Sequence, residues 1–215
     1  MTPRQSVDYT LYLVTDRDLS RERPTPLVVA AAVRGGVTCV QLREKALSTR
    51  AFLAEARAVA AVLRSTGVPL IINDRIDVAL AAGAGGVHLG QTDMPIADAR
   101  PIVGPEMILG VSVESVDDAR AAEAEGADYV SVSPVYATPT KTDTVAPLGV
   151  DGVAAVRAAV SVPMVAIGGL NRETCEAVVR AGADGIAVVS AIVSADDPEA
   201  SARDLADRIR RARRP

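Results

Sequence analysis

The chain has 215 residues, of which 49% are hydrophobic and 23% are charged, and its formal net charge is −4. This length fits one domain over 1–215 with a single hydrophobic core, and the acidic balance argues against a nucleic-acid partner. The start of the chain is polar and no apolar run is long enough to span a bilayer, so we expect a cytoplasmic protein without a membrane partner.

Short apolar runs that resemble buried strands alternate with Ala-rich helical stretches along the chain. The clearest helix has an apolar stripe from Phe52 to Leu63, and Ser48 is placed to cap it. Aromatic residues are rare, so Val, Ile, Leu and Ala must build strands that are buried on both faces. Cys39 lies inside one such run and is interpreted as a core residue. The eight predicted strands are 10–15, 38–42, 69–72, 86–89, 107–111, 129–132, 164–167 and 185–188.

Glycine precedes most of these strands, and four of the approaches look alike: RGGVTCVQL, AGAGGVHLG, AEGADYVSV and RAGADGIAVV. An eightfold strand–helix repeat of this length predicts an α/β protein that closes into a (β/α)8 TIM barrel. A doubly wound open sheet is the alternative, but no G-x-G-x-x-G follows the first strand.

Two carboxylates follow neighbouring predicted strands, at the barrel face where such enzymes carry their chemistry. Asp74 comes directly after the third strand, and Asp93 ends the turn GQTD after the fourth. Two such groups can share one hard cation such as Mg²⁺, which binds oxygen ligands and bridges to substrate phosphates. The spacing therefore predicts a magnesium site, with solvated loop aspartates as the alternative.

Other strand ends supply donors for an anion. The second strand ends in QLREK, where alternation directs Gln41 and Arg43 to one face, with Lys45 beyond them. Asn73 ends the third strand, and Ser112 at the fifth offers a neutral donor to a phosphate oxygen. A charged loop start is the alternative for QLREK. His88 alternates with its apolar neighbours and is interpreted as a hydrogen-bonded residue of the barrel interior.

The loop after the sixth strand, 133–149, is long for this fold, and such loops are functional or disordered. It carries Thr138, Thr140 and Lys141 as donors, which favours a phosphate lid over a solvated loop.

The last two strands end in Gly168-Gly169 and in Val189-Ser190. Glycine permits close approach of backbone N–H groups to an anion, and a helix start offers free N–H groups. Because the loops after strands seven and eight are the usual phosphate site of these barrels, we expect a phosphate there.

The inventory contains a phosphate site, a Mg²⁺ site and two lysines, and it lacks a Ser-His-Asp arrangement and a reactive cysteine setting. Two separate anion sites predict two phosphorylated substrates, or one substrate with phosphates at both ends. Mg²⁺ with lysine suits a departing pyrophosphate, because both offset the charge that develops on it.

The motifs LYLVTD, QLREK, IIND, VHLGQTD, SPVYATPTK and AIGGL occur in this order, and together they resemble those of the thiamine-phosphate synthase family. The resemblance extends from about Leu11 to Ser190. Leu170 stands where the family usually has Ile.

This resemblance implies an enzyme that joins 4-amino-2-methyl-5-(diphosphooxymethyl)pyrimidine to 4-methyl-5-(2-phosphooxyethyl)thiazole, giving thiamine phosphate and pyrophosphate. It implies a dissociative reaction in which the diphosphate leaves first, with Mg²⁺ held by Asp74 and Asp93. Arg43, Ser112 and Lys141 are the implied catalytic residues. The implied pyrimidine diphosphate site comprises Gln41, Leu42, Arg43, Glu44, Lys45, Asn73, Ser112 and Lys141. The implied thiazole phosphate site comprises Thr138, Pro139, Thr140, Gly168, Gly169, Val189 and Ser190.

Three other functions stay open at this point: a thiazole tautomerase of the same fold, a sugar-phosphate or indole-pathway isomerase, and a non-catalytic thiamine phosphate binder. The first and last do not need Asp74, Asp93, Lys45 and Lys141 together, and an isomerase does not need two acids placed for Mg²⁺. A homo-oligomer is compatible with the sequence.

Overall fold

The computed structural model describes residues 7–138 and 146–213. Eight parallel strands form a closed barrel in chain order, because β1 pairs with both β2 and β8. The predicted (β/α)8 barrel is confirmed, and the open-sheet alternative is wrong. The strands are β1 (Leu11–Val14), β2 (Cys39–Leu42), β3 (Leu70–Asn73), β4 (Gly86–Leu89), β5 (Ile108–Val113), β6 (Tyr129–Val132), β7 (Met164–Ala166) and β8 (Gly185–Val188).

Helices surround the barrel, and their starts follow the expected capping chemistry. Ser48 accepts a hydrogen bond from the Ala51 amide at 3.3 Å, which confirms it as the cap of the second helix. In the described part of the chain, no helix combines the length and apolarity needed to cross a membrane. The helices are α1 (Thr25–Arg34), α2 (Thr49–Leu63), α3 (Ile76–Ala82), α4 (Ile96–Val103), α5 (Val116–Ala124), α6 (Gly149–Ala159), α7 (Cys175–Arg180), α8 (Ser190–Val193) and α9 (Pro198–Ala212).

Apolar side chains form two layers. The larger layer lies between strands and helices, and the smaller one fills the barrel interior. Three tyrosines, Tyr9, Tyr12 and Tyr129, occupy the interior, and the rings of Tyr9 and Tyr129 are 4.7 Å apart. Cys39 is fully buried beside them, as expected for a core residue. The tyrosines therefore form a filled floor below the C-terminal ends of the strands.

An ion pair braces the N-terminal end of the barrel between β5 and β6. One Asp128 carboxylate oxygen accepts hydrogen bonds from the Leu109 amide at 2.8 Å and from Arg100 at 2.7 Å. The Arg100 side chain also donates to the carbonyl oxygens of Gly104, Met107 and Gly126. The pair thus connects the end of α4 to two strand starts.

The same arrangement recurs between β7 and β8. Asp184 accepts from the Met164 amide and from Arg157, both at 2.8 Å. Asp128 and Asp184 each end a Gly-Ala-Asp sequence, so the similarity between AEGADYVSV and RAGADGIAVV corresponds to a repeated structural element. Arg213, just past α9, closes this end by donating to the Thr10 hydroxyl and to the Asp184 carbonyl.

Candidate active site

A cavity of about 730 Å³ opens at the C-terminal ends of the strands, above the tyrosine floor. Its lining includes polar groups from the ends of most strands, as the barrel rule predicts. Most of the candidate site residues that the structure describes are brought together here. They are Gln41, Arg43, Lys45, Asn73, Asp74, Asp93, Ser112, Thr138, Gly168, Gly169, Val189 and Ser190.

Two candidates do not line this cavity. Leu42 is fully buried in the layer between barrel and helices, because alternation along β2 turns it away from Gln41. Glu44 is also directed elsewhere, and its side chain pairs with Arg17 at 3.3 Å and is 5% exposed. Burial raises the pKa of the Glu44 carboxyl, and Arg17 offsets part of that rise. Neither side chain faces the cavity, and the assignment of Leu42 and Glu44 to the pyrimidine diphosphate site stays a prediction.

Three further candidates, Pro139, Thr140 and Lys141, lie outside the described residues. Their assignment to the two phosphate sites stays a prediction.

Asp74 adopts an unusual backbone conformation at the cavity wall. Its φ is +61°, and the Arg75 amide donates to the Asn73 carbonyl across it at 2.7 Å, which defines a γ-turn. This turn with a positive central φ is rare and strained, although Asp tolerates positive φ better than most residues. The Asp74 amide donates to the His88 carbonyl at 2.8 Å, which ties the turn to β4. Such strain is concentrated at functional positions of proteins.

Asp93 adjoins Asp74 across the gap between two loops. Its carboxylate accepts from the Gly90 amide at 2.7 Å. Burial raises the pKa of Asp93, the Gly90 amide offsets part of the rise, and the neighbouring Asp74 carboxyl raises it further. Lys45 donates to the Asp74 carboxylate at 2.6 Å. Two adjoining carboxylates and one ammonium therefore meet at one wall of the cavity.

This donor set fits Mg²⁺ in its usual protein setting. In 7–138 and 146–213, no cluster of three or more carboxylate, imidazole or thiol ligands occurs. Mg²⁺ is commonly held by one or two carboxylates, with waters and substrate phosphates completing its shell. Asp74 and Asp93 match that pattern, since both are hard oxygen donors that face the cavity.

Arg43 is fixed by residues that the sequence did not single out. Its guanidinium pairs with Asp16 at 3.3 Å, and its backbone amide donates to the Thr15 hydroxyl at 3.1 Å. Both partners follow β1, which lies next to β2 in the barrel. The motif LYLVTD thus positions the motif QLREK.

A continuous series of buried hydrogen bonds runs beneath the cavity. Gln41 donates to Tyr12, Tyr12 bonds to Tyr129, Tyr129 to His88, and His88 to Ser112. His88 is therefore a hydrogen-bonded interior residue, as predicted. Burial, with the neighbouring tyrosine as the next cause, raises the pKa of Tyr12 well above 10, and burial likewise raises the pKa of Tyr129.

The two tyrosines and Ser131 were missed as site residues. Strand alternation was the available signal, because Tyr12 and Val14 share a face of β1 and Tyr129 and Ser131 share a face of β6. Pairing between strands so far apart in sequence is not encoded locally. Further lining residues that were not singled out include Glu114, Ser133, Ile167 and Asn171.

The glycine pair at the end of β7 is also required for packing. Gly168 and Gly169 have φ of +106° and +64°. A Cβ on Gly168 would lie 2.8 Å from Pro134, and one on Gly169 would lie 2.8 Å from Tyr136. The Tyr136 amide donates to the Gly168 carbonyl at 3.0 Å. The first part of the long loop is thus held against the glycine turn, beside Val189 and Ser190 in the cavity lining.

Comparison with known proteins agrees with this geometry. Over residues 11–192 the chain matches the family described as thiamine monophosphate synthase. It is 58% identical over 189 residues to the thiamine-phosphate synthase of Albidiferax ferrireducens, covering 87% of this chain and 86% of the relative. It is 54% identical to that of Chloroflexus aurantiacus, covering 93% and 92%.

Solved structures give the same result. The thiamine phosphate pyrophosphorylase from Pyrococcus furiosus superposes with a TM-score of 0.89 at 35% identity, covering 96% of this chain and 98% of that chain. A 3-hexulose-6-phosphate synthase, at a TM-score of 0.69 and 20% identity, covers 93% and 99% and shares the fold alone. From its family match, its relatives and its site, the chain belongs to the thiamine monophosphate synthase family.

Proposed function

We propose that this protein condenses the pyrimidine diphosphate with the thiazole phosphate to give thiamine phosphate and pyrophosphate. The activity, that of a thiamine-phosphate synthase in thiamine biosynthesis, rests on the family and on relatives that are 58% and 54% identical. The observation that carries the chemistry is the meeting of Asp74, Asp93 and Lys45 at one cavity wall. This arrangement suits the binding of a diphosphate, because its negative charge is spread over several oxygens and is offset by several cations.

The pyrimidine diphosphate binds along the wall formed by β2 to β5. Gln41 and Asn73 are buried amide side chains suited to a heteroaromatic ring. Arg43, half-buried and oriented by Asp16, suits bidentate contact with the diphosphate. Lys45 and Ser112 complete the anion site from either side, and Lys141 of the long loop adds a further cation.

Asp74 and Asp93 are the proposed ligands of Mg²⁺. When bound, the ion supplies positive charge that offsets the negative charge developing on the leaving diphosphate. Lys45 contributes to the same end from the protein, because its ammonium already lies within 2.6 Å of Asp74.

The thiazole phosphate binds on the opposite wall, after β6 to β8. Gly168, Gly169 and Ser190 border the cavity there, and Ser190 begins α8. Backbone N–H groups at such a turn and helix start suit a phosphate. Val189, Thr138, Pro139 and Thr140 complete the proposed site.

The reaction proceeds by dissociation of the diphosphate and capture of the pyrimidine-stabilised cation by the thiazole nitrogen. Among the described residues, Cys39 and Cys175 are buried, and burial raises the pKa of each thiol, so neither suits a nucleophile. Catalysis therefore comes from holding the two fragments in line and from stabilising the leaving group.

The test is pyrophosphate release from the purified protein with each substrate alone and with both, with and without Mg²⁺. We expect release only when both substrates and the metal are present. Asp93→Asn should require more Mg²⁺ for the same rate. Turnover of the thiazole alone would indicate a tautomerase, and binding without turnover would indicate a thiamine phosphate binder.

A further inference from the structure

Five side chains form an unbroken hydrogen-bonded series below the cavity, and we call it the polar chain. Its members, in order, are Gln41, Tyr12, Tyr129, His88 and Ser112. The successive donor–acceptor distances are 3.1, 2.9, 2.8 and 2.9 Å. The first four members are at most 5% exposed, while Ser112 is half-buried and lines the cavity.

The first link has a defined direction. The Gln41 amide nitrogen can only donate, so the Tyr12 oxygen accepts. Tyr12 is only 1% exposed, so its proton then needs an acceptor within the protein. Among residues 7–138 and 146–213, the acceptors in contact are the Tyr129 oxygen and the Cys39 thiol. Sulfur is the weaker acceptor, so the proton goes to Tyr129.

The direction continues through the histidine. Tyr129 accepts from Tyr12, so its own proton is directed to Nδ1 of His88 at 2.8 Å. A neutral imidazole whose Nδ1 accepts carries its proton on Nε2. That N–H then donates to Oγ of Ser112 at 2.9 Å. Ser112 is therefore an acceptor within the polar chain, which leaves its own hydroxyl proton for the cavity.

We propose that Gln41 is a positioning residue that sets the direction of the polar chain and thereby makes Ser112 a hydrogen-bond donor to a phosphate oxygen. A phosphate oxygen accepts only, so a serine whose proton is already directed to His88 cannot bind it in the same way. The inference rests on the proposed function only for the identity of the anion.

Reversing the direction of the first hydrogen bond should reverse all the later hydrogen bonds of the polar chain. Gln41→Glu places a group of nearly the same shape at the start of the polar chain, and when ionised that group only accepts. Tyr12 then donates to Glu, Tyr129 donates to Tyr12, and Nδ1–H of His88 donates to Tyr129. Nε2 is left as the acceptor, and the Ser112 proton turns away from the cavity.

His88 is the only histidine in the chain, which permits a direct test by NMR. With ¹⁵N-labelled histidine, we expect the wild-type ring to be the Nε2–H tautomer. Gln41→Glu, recorded from about pH 6 to about pH 9 so that the buried carboxyl is observed ionised, should give the Nδ1–H tautomer. Gln41→Met, which deletes the donor, should give a mixture. Backbone amide spectra establish that each variant is folded.

A second test measures the affinity for inorganic pyrophosphate in the presence of Mg²⁺. Ser112→Ala should weaken binding about tenfold, the usual effect of losing a hydrogen bond to a charged group. In the Gln41→Glu background, the same change should have little further effect. Asn73→Asp is the matched control, because it adds the same charge at the cavity without entering the polar chain. In that background, Ser112→Ala should still cost about tenfold.

Two results would overturn the inference. One is a wild-type Nδ1–H tautomer, or an unchanged Nε2–H tautomer in both Gln41 variants. The other is an equal loss of pyrophosphate affinity on Ser112→Ala in the wild-type and Gln41→Glu backgrounds. Failure of the proposed reaction would appear as absent pyrophosphate release from the two substrates, and the tautomer spectra would be unaffected by it.

Discussion

Lys45 has opposite effects on the two ligands that the proposed reaction requires. Its ammonium lies 2.6 Å from the Asp74 carboxylate, and its side chain is 58% exposed while that of Asp74 is 22% exposed. A cation in this position repels a divalent metal ion and attracts a diphosphate. The affinity for each ligand is therefore a balance that one side chain adjusts.

Replacing Lys45 by Met should separate these effects. We expect Mg²⁺ to bind about two- to fivefold more tightly in the absence of substrates, because a partly exposed ion pair contributes up to about 1 kcal/mol. Pyrophosphate should bind more weakly. Calorimetric titration measures both affinities. Arg43→Met is the control, since Arg43 is a cation of the same cavity that pairs with Asp16. An equal gain in Mg²⁺ affinity in that variant would show that Lys45 has no special position.

The buried tyrosines make folding sensitive to alkaline pH. Burial raises the pKa of Tyr12 and Tyr129 well above 10, so both stay protonated in the folded state. In the unfolded chain they ionise above about pH 10. The unfolded state then binds fewer protons, and the free energy of unfolding falls as pH rises through that range.

Tyr129→Phe should reduce this fall by about 1.4 kcal/mol per pH unit above pH 10, which corresponds to one proton. Urea unfolding at several pH values between about 9 and 11 measures the slope, and pH 7 provides the reference. A slope equal to that of the wild type would mean that Tyr129 ionises in the folded protein.

At the element scale, some of the site was predictable from local patterns and some was not. Alternation along β2 correctly placed Gln41 and Arg43 on one face, and the ends of β3 and β4 brought Asp74 and Asp93 to one cavity. Leu42 was assigned to the substrate site as part of the motif QLREK, although the same alternation directs its side chain away from the cavity. Asp16, as the partner of Arg43, depends on the pairing of β1 with β2, which no local signal contains.

The repeated ion pairs at the N-terminal end form another element that only the structure revealed. Asp128→Ala removes the acceptor of both the Leu109 amide and Arg100. We expect a loss of about 1–3 kcal/mol in the free energy of unfolding, because the Leu109 amide loses its acceptor and Arg100 loses its carboxylate. Urea unfolding measures the change. Asp117→Ala is the control, since its carboxylate is 94% exposed and pairs with Arg120 at 3.7 Å. It should change stability by less than about 0.5 kcal/mol, and a similar loss in both would show that Asp128 is not a brace.

At the scale of the whole molecule, the fold was predictable because the strand–helix repeat is regular and most strand residues are apolar and buried. The closure of β1 on β8 followed from the number of units. The packing of α9 could not be predicted, because no local sequence pattern indicates which helices it contacts. In the structure it packs against α1 and α7 across the closure of the barrel.

Leu205→Ala should test how much α9 contributes to the fold. Leu205 is 1% exposed, so the substitution leaves a cavity and should cost about 2–5 kcal/mol in the free energy of unfolding. Leu80→Ala is the same substitution on α3 at a residue that is 45% exposed, and it should cost less than about 1 kcal/mol. Thermal or urea unfolding measures both. Equal costs would mean that α9 is not part of the cooperative unit.

The tyrosine floor also determines from which end molecules enter and leave the barrel. Because Tyr9, Tyr12 and Tyr129 fill the interior, the described residues leave the cavity open at the C-terminal ends of the strands. In the proposed reaction, the pyrimidine ring lies at the bottom of the cavity. Its diphosphate lies nearer to that opening, beside Lys45. Under the proposed function, we therefore expect pyrophosphate to leave before the joined product, because it lies nearer to that opening.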